Sequence, residues 1–304
     1  MESDTLLASL HNGDPRALAR AITAVEEQLP GADALLAGLD RQRIDEALVL
    51  GLTGPPGAGK STLTSRLVTE LRGQGLRVGI LAIDPSSPIT GGALLGDRIR
   101  MMDHALDPDV VVRSMATRGR LGGLAAAAGA TARIMAASGC RVVIIETVGI
   151  GQSEMDIVRL ADLTLLVLAP GFGDDIQAMK AGILEVADLF IVNKADLPGA
   201  ERLALELASL FSDPALREQR VLRTVASEGQ GVEELCQRIF SLEKEWHASG
   251  CLERRRARSF QAETLDWAVE MVREQLAARL TASSPAAPDP RQAARELLKN
   301  VLCD

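Results

Sequence analysis

Gly54-Pro55-Pro56-Gly57-Ala58-Gly59-Lys60-Ser61-Thr62 follows the apolar run Ala47–Leu52, and a helical stretch begins behind it. This is the G-x-x-x-x-G-K-[ST] pattern in the context that gives it meaning: strand, loop, helix. Glycines let successive backbone N–H groups turn inward around a phosphate, and the helix N-terminus adds the positive end of its dipole. Lys60 supplies a mobile cation for the outer phosphates, and the Ser61 hydroxyl can ligate Mg2+. Residues Gly54, Pro55, Pro56, Gly57, Ala58, Gly59, Lys60, Ser61 and Thr62 are therefore expected to cradle the phosphates of a nucleotide.

Outward from this loop, short apolar runs alternate with helical stretches from about 47 to 245. The runs are Ala47–Leu52, Val78–Ile83, Val142–Ile145, Leu163–Leu168, Leu189–Val192 and Val221–Val225. Each is almost continuously apolar, as strands buried on both faces are. The expected fold is an α/β P-loop NTPase, a mainly parallel sheet flanked by helices. A helix of about a dozen residues, followed only by the short loop Gly73-Gln74-Gly75, can return the chain to the start of the sheet, so the second strand is expected parallel to the first. That strand ends at Asp84, in Ile83-Asp84-Pro85-Ser86-Ser87-Pro88. Its carboxylate then sits at the carboxyl edge of the sheet, where open α/β folds bind ligands. A turn-starting Asp ahead of proline would explain the same residue without chemistry.

The flanks differ in texture. Residues 1–46 read as a helical N-terminal extension, with Ala17, Ala21, Ala24 and Val25, then Leu35, Leu36 and Leu39, at helical spacing. Residues 47–245 form the nucleotide domain, and 246–304 a charged helical arm. In the arm Leu265, Ala268, Val272, Leu276 and Leu280 form one stripe, which must bury itself against its own core or another subunit. The run Arg254-Arg255-Arg256-Ala257-Arg258 reads as a solvated face or a partner contact.

Composition removes several classes. The chain has 304 residues, 47% apolar, enough for a substantial core without disulfide staples. Its net charge of −8, from 33 basic and 41 acidic residues, argues against coating nucleic acid or an anionic membrane. With 2% aromatics and no tyrosine, base-stacking platforms are not expected either. Cys140, Cys236, Cys251 and Cys303 form no C-x-x-C pair and read as free thiols in a reducing compartment. Met1-Glu2-Ser3-Asp4 is no secretory n-region, and no apolar run is long enough for a membrane span. A soluble, cytoplasmic protein is expected.

Two further motifs choose the nucleotide. Leu189–Val192 runs into Asn193-Lys194-Ala195-Asp196, placed on the fifth of the six runs. The Asp196 carboxylate can accept hydrogen bonds from the N1–H and exocyclic amine of guanine. Adenine offers neither donor there and would leave a buried acid unpaired. Asn193 would brace the loop and the Lys194 stem would cover the base. After the sixth run comes Thr224-Val225-Ala226-Ser227, where GTPases commonly carry Ser-Ala with the Ala N–H on guanine O6. Val225 in place of Ser removes a hydroxyl brace but leaves the Ala226 N–H available. Glu146-Thr147-Val148-Gly149 resembles the D-x-x-G of GTPases, whose acid lies near Mg2+ and whose glycine N–H senses the γ-phosphate. Glu reaches one methylene further than Asp, leaving direct and water-mediated metal contact both open.

With these motifs in register, the chain resembles the MeaB/ArgK family of SIMIBI G-proteins. The carrying stretches are Thr53–Thr62; Asp84–Pro88 leading to Thr90-Gly91-Gly92-Ala93-Leu94-Leu95-Gly96-Asp97-Arg98; and Arg113-Ser114-Met115-Ala116-Thr117-Arg118-Gly119. They continue in Glu146–Glu154 and in Pro170–Gly182. The resemblance implies a GTPase chaperone of an adenosylcobalamin-dependent acyl-CoA mutase, homodimeric through the C-terminal arm. GTP hydrolysis would gate cofactor loading, repair and protection of the mutase. Methylmalonyl-CoA mutase is the first expectation; an isobutyryl-CoA or 2-hydroxyisobutyryl-CoA mutase is the alternative. By position, Ser61, Asp84, Asp97 and Glu146 would hold or surround Mg2+, and Gly149 the γ-phosphate. Gly171–Asp188 would be a mobile loop bringing Gln177 and Lys180 to the nucleotide, beside Lys60 and Glu146 in the catalytic set.

Arg98, Arg113 and Arg118 lie in the segments expected to switch, touching nucleotide or partner or forming surface ion pairs. His11, His104 and His247 are isolated in sequence, so the cobalamin is expected on the partner while GTP, GDP and Mg2+ are this chain's ligands. A nickel-insertion GTPase would need Cys/His clusters, a transport-linked kinase an acceptor pocket and base, and a signal-recognition GTPase a Met-rich domain. A nucleotide-locked scaffold would differ only in turnover.

Overall fold

Parallel strands can join only through crossovers, and the chain builds its sheet that way around the strand that carries the phosphate loop. The computed structural model describes residues 2–84, 104, 106–116, 123–147, 158–171, 182–282 and 289–295. Four helices come first: α1 (Glu2–His11), α2 (Pro15–Glu26), α3 (Ala32–Ala37) and α4 (Arg41–Glu46). Then follow β1 (Leu48–Thr53), α5 (Lys60–Gly73), β2 (Val78–Asp84), β3 (Val110–Ala116), α6 (Gly123–Ala137) and β4 (Val142–Thr147). The sheet is completed by β5 (Leu163–Leu168), α7 (Ile183–Val186), β6 (Leu189–Val192), α8 (Ala200–Ala208), α9 (Pro214–Arg220) and β7 (Val221–Arg223). Two long helices follow, α10 (Val232–Ala248) and α11 (Cys251–Ala282), and residues 290–295 are helical again.

The strand order is β3-β2-β4-β1-β5-β6-β7, with every neighbouring pair parallel. From β1 the chain fills one side with β2, β3 and β4, then crosses over to lay down β5, β6 and β7. The carboxyl end of β1 is thus the topological switch point, where such sheets open a crevice. The expected P-loop α/β architecture is the one observed.

Both faces are covered, which is why the runs read as continuously apolar. On one face Leu48, Leu50 and Leu52 of β1 pack with Leu63 and Leu67 of α5 and with Leu235 and Ile239 of α10. On the other, Val143 and Ile145 of β4 meet Ile134 and Met135 of α6, with Leu18 and Ile22 of α2 behind them. A third cluster joins Leu166 and Phe190 to Leu203 and Leu207 of α8.

One strand was not among the six runs. β3 begins with three valines but continues through Arg113 and Ser114, and it lies at the sheet edge. An edge strand tolerates polar residues, so its alternation is broken where Arg113 pairs with Glu26 of α2. Arg113 therefore forms an ion pair, the plainer of its two expected roles. Arg98 and Arg118 lie outside the described residues. The Asn193 motif consequently follows the sixth strand rather than the fifth. The run Val221–Val225 is strand only to Arg223, since Val225 turns away to an antiparallel bridge with Gln230.

The arginine run departs most from expectation. Arg254 and Arg258 are exposed, but Arg255 and Arg256 do not lie on a solvated face: they are inserted among the amino ends of the central strands. Arg256 donates to both oxygens of Asp162, at 2.8 and 2.7 Å, and to the carbonyls of Asp45 and Ala47. Asp162 also accepts the Val49 N–H of β1 at 2.9 Å. Arg255 grips Asp188 at 2.8 Å and stacks over Trp246, while Asp188 accepts the Thr164 N–H of β5. Burial pushes the Asp188 carboxyl up against the opposing pull of Arg255. The two acids occupy equivalent places, in Ala161-Asp162-Leu163 and Ala187-Asp188-Leu189. Each precedes a strand and caps the amide of the strand next inward.

Beyond this anchor the stripe of α11 is only partly covered by the chain's own core: Leu265 is 65% and Leu280 45% exposed, while Val272 and Leu276 are half-buried. The helix is held on α6 by Glu263, bidentate to Arg133 at 2.7 and 2.6 Å.

Replacing Arg256 by Met should leave the Asp162 carboxylate buried without its cation and lower unfolding free energy by about 3 kcal/mol or more. Adding Asp162→Asn should return part of that loss. Urea denaturation measures both. A loss below about 1 kcal/mol would rank the contact with ordinary surface pairs.

Candidate nucleotide-binding site

The loop after β1 is shaped by two glycines that nothing else could replace. Gly54 has φ +141°, and a Cβ there would lie 2.0 Å from the carbonyl oxygen of Val167 on β5. Gly59 has φ +89°, and its Cβ would lie 2.4 Å from the side-chain nitrogen of Asn193. Gly59 is also the N-cap of α5, so no side chain caps the helix and its first turn carries no acid. Uncapped N–H groups and the positive dipole end are what an anion needs. Lys60, only 6% exposed, turns its ammonium back on this loop, donating to the carbonyls of Gly54 at 2.7 Å and Pro55 at 3.1 Å.

Glu146 stands beside it on β4, 5% exposed. Its Oε1 accepts the Ser61 hydroxyl at 2.7 Å and its Oε2 the Thr64 hydroxyl at 2.8 Å. Donating its proton leaves the Ser61 oxygen with free lone pairs beside a carboxylate. Such hard oxygen donors suit Mg2+, which takes few protein ligands and keeps water and phosphate for the rest. Asp84 ends β2, the strand paired with β4 at Ala82↔Glu146, so its backbone lies at the same edge. Asp97, Gly149, Gln177 and Lys180 lie outside the described residues.

On the far side of the loop, Asn193 is 2% exposed and ties three segments together. Its amide nitrogen donates to Ala58 O at 2.9 Å, and its oxygen accepts from Thr224 Oγ1 and from the Ala226 N–H, both at 3.1 Å. This corrects one expectation: the Ala226 N–H is not left available but engaged by Asn193. The Val225 N–H is also committed, to the carbonyl of Gln230 at 3.0 Å. Lys194 adopts the left-handed conformation, φ +55°, rare for a side chain with a Cβ. Its Cε lies 4.0 Å from where a Cβ on Gly59 would be, so the stem runs along the phosphate loop. Asp196 follows in the turn closed by Leu197 N–H on the Lys194 carbonyl, and it is exposed.

Three contributors escaped the motif reading. Thr64 shares the helix face of Ser61, at a spacing of three, which is the one signal that could have found it. Thr224 offers the hydroxyl that Val225 lacks. Arg66 of α5 donates to the carbonyls of Ala226 at 3.1 Å and Ser227 at 2.7 Å, securing the loop after β7 to the helix that opens the phosphate site. No local pattern marks it.

A loop shaped for phosphates, an acid-and-hydroxyl pair that could hold a hard cation and a braced loop bearing Asp196 form a candidate nucleotide site. Known proteins agree. The chain is 48% identical over 262 residues, 84% of its length and 82% of the relative's, to a Pyrococcus horikoshii protein with a GTPase designation. It is 36% identical over 290 residues to the GTPase ArgK of Escherichia coli, covering 90% of this chain and 85% of that one. Among solved structures, a LAO/AO transport system kinase superposes with a TM-score of 0.66 at 26% identity, over 99% of this chain and 97% of that one. The family described as methylmalonyl-CoA mutase-associated GTPase MeaB matches residues 18–285, which take in the whole sheet and α11. Motif, geometry and kinship converge: the chain belongs to the MeaB family of GTPases.

Proposed function

We propose that this GTPase serves an adenosylcobalamin-dependent acyl-CoA mutase, gating the loading, repair and protection of that enzyme's cofactor. The family match over residues 18–285 carries the reading, since that family is described as mutase-associated. Methylmalonyl-CoA mutase is the favoured partner, with isobutyryl-CoA and 2-hydroxyisobutyryl-CoA mutases as alternatives. The cobalamin stays on the mutase, and this chain's ligands are GTP, GDP and Mg2+ in the cytoplasm. Among the described residues no helix is long and apolar enough to cross a membrane.

The chemistry follows from the site. Lys60 exchanges the carbonyls of Gly54 and Pro55 for the outer phosphates, so binding replaces one set of charge-assisted hydrogen bonds by a stronger one. Ser61 and Glu146 would hold Mg2+, with Asp84 and Asp97 completing its surroundings; when bound, the ion neutralises charge developing on the phosphates. Asp196 reads the guanine edge, Lys194 covers the base and Asn193 holds both loops in register. Gly149 would sense the γ-phosphate, while Gln177 and Lys180 would complete catalysis when the mutase is docked. Such partner completion is how slow GTPases are switched on.

The exposed stripe of α11 supports homodimerisation through the arm. Beside it a groove of about 620 Å³, lined by Leu29, Leu36, Phe260, Trp267 and Met271, offers further apolar surface.

Lys60→Ala should weaken GTP binding about a hundredfold or more with the fold intact by circular dichroism; retained affinity in calorimetry would count against the cradle. Asp196→Asn should cut the preference for GTP over ATP about a hundredfold, and an unchanged ratio would remove Asp196 from the base site. Single-turnover GTP hydrolysis should speed up by about tenfold or more with the cognate mutase. No acceleration by any of the three mutases would leave a nucleotide-locked scaffold.

A further inference from the structure

We infer that Thr64 is a positioning residue for the Glu146 carboxylate and, through it, for the divalent cation of the nucleotide. The inference rests on the cation site proposed at Ser61 and Glu146. Ser61 and Thr64 lie three residues apart on α5, so their side chains rise from one face of the helix. They meet the two oxygens of one carboxylate, Ser61 Oγ at 2.7 Å from Oε1 and Thr64 Oγ1 at 2.8 Å from Oε2. Thr64 is fully buried, and a buried hydroxyl must find an acceptor. The acceptor commonly open to a helical threonine is the carbonyl four residues back, which Thr69 of the same helix uses by bonding to Ser65 O at 3.1 Å. Thr64 donates to Glu146 instead.

This contact explains why glutamate stands where GTPases commonly carry aspartate. The backbone at position 146 is fixed by its pairing with Leu52 on one side and Ala82 on the other. A shorter side chain would stop one methylene short and could not be brought closer by moving the strand. Glutamate spans both hydroxyls, and Thr64 restrains the terminal torsion, which is otherwise broad. With Oε2 held, the orientation of Oε1 toward Ser61 is set before any ion arrives. Mg2+ demands near-ideal octahedral geometry, so a carboxylate free to rotate binds it less well. Loss of a hydrogen bond that orients a metal ligand typically costs about ten- to a hundredfold in metal affinity.

The test is release of a fluorescent GDP analogue from the full chain, followed across a Mg2+ titration and in EDTA. Thr64→Val keeps the shape and removes the donor; Thr64→Ala serves if the valine variant does not fold. The Mg2+ concentration for half-maximal slowing of release should rise about tenfold, with release in EDTA within about twofold of wild type. Thr64→Ser restores the donor and should return the midpoint to within about threefold of wild type. In a Glu146→Asp background, removing the Thr64 hydroxyl should move the midpoint no further, because the shorter acid no longer reaches it. An unmoved midpoint in Thr64→Val or Thr64→Ala would overturn the inference. So would equal changes with and without Mg2+, which mark a packing role alone. Wild-type release indifferent to Mg2+ would instead overturn the cation site on which the inference rests.

Discussion

The buried amide of Asn193 is the contact on which the carboxyl edge of this molecule depends. It donates to the phosphate loop at Ala58 and accepts from Thr224 and Ala226 of the loop after β7. The loop after β1 and the loops after β6 and β7, distant in sequence, are thereby held at one spacing. The constraint is mutual, because Gly59 can carry no Cβ where the Asn193 amide lies. Both bonding faces of the amide are used where it is buried, and a buried hydrogen bond left unmade costs most. Arg66 adds a second link to the same loop from α5.

The opposite edge of the sheet is organised by charge. Asp162 and Asp188 cap the amides of Val49 and Thr164, and Arg256 and Arg255 neutralise them from the first turns of α11. The arm is thus rooted in the sheet by paired buried charges and leaves it as a helix whose apolar stripe is exposed at Leu265 and Leu280. The loop after β1 and the root of the arm thus lie at opposite ends of the same strands. Between them lie β5 and β6, buried throughout, and β1, buried at every position but Val49.

The parallel sheet was legible because strands covered on both faces must be apolar at nearly every position. Leu163–Leu168 and Leu189–Val192 are strands to the residue as the pattern predicts. β3 was missed because an edge strand escapes that requirement and Arg113 is satisfied by Glu26 from a distant helix. The arginine run misled for a related reason. A cluster of like charges is solvated unless acids are buried opposite, and the acids here precede two strands more than sixty residues upstream. In the site, Lys60, Ser61, Glu146 and Asn193 declared themselves through spacing. Thr64 and Arg66 did not, since their partners lie 82 and 160 residues away.

By itself, then, the amino-acid order determined everything that depends on local chemistry: the glycine turn, the lysine at a helix start, the apolar period and the acid after a buried strand. These are properties of short segments, where neighbours in the chain are neighbours in space. Only the tertiary structure decided which groups satisfy one another. It turned the Ala226 N–H toward Asn193, made Arg255 and Arg256 counter-ions of buried acids and matched the length of Glu146 to Thr64. Each of those outcomes follows from removing polar groups from water, which forces them to find partners wherever the fold brings one near.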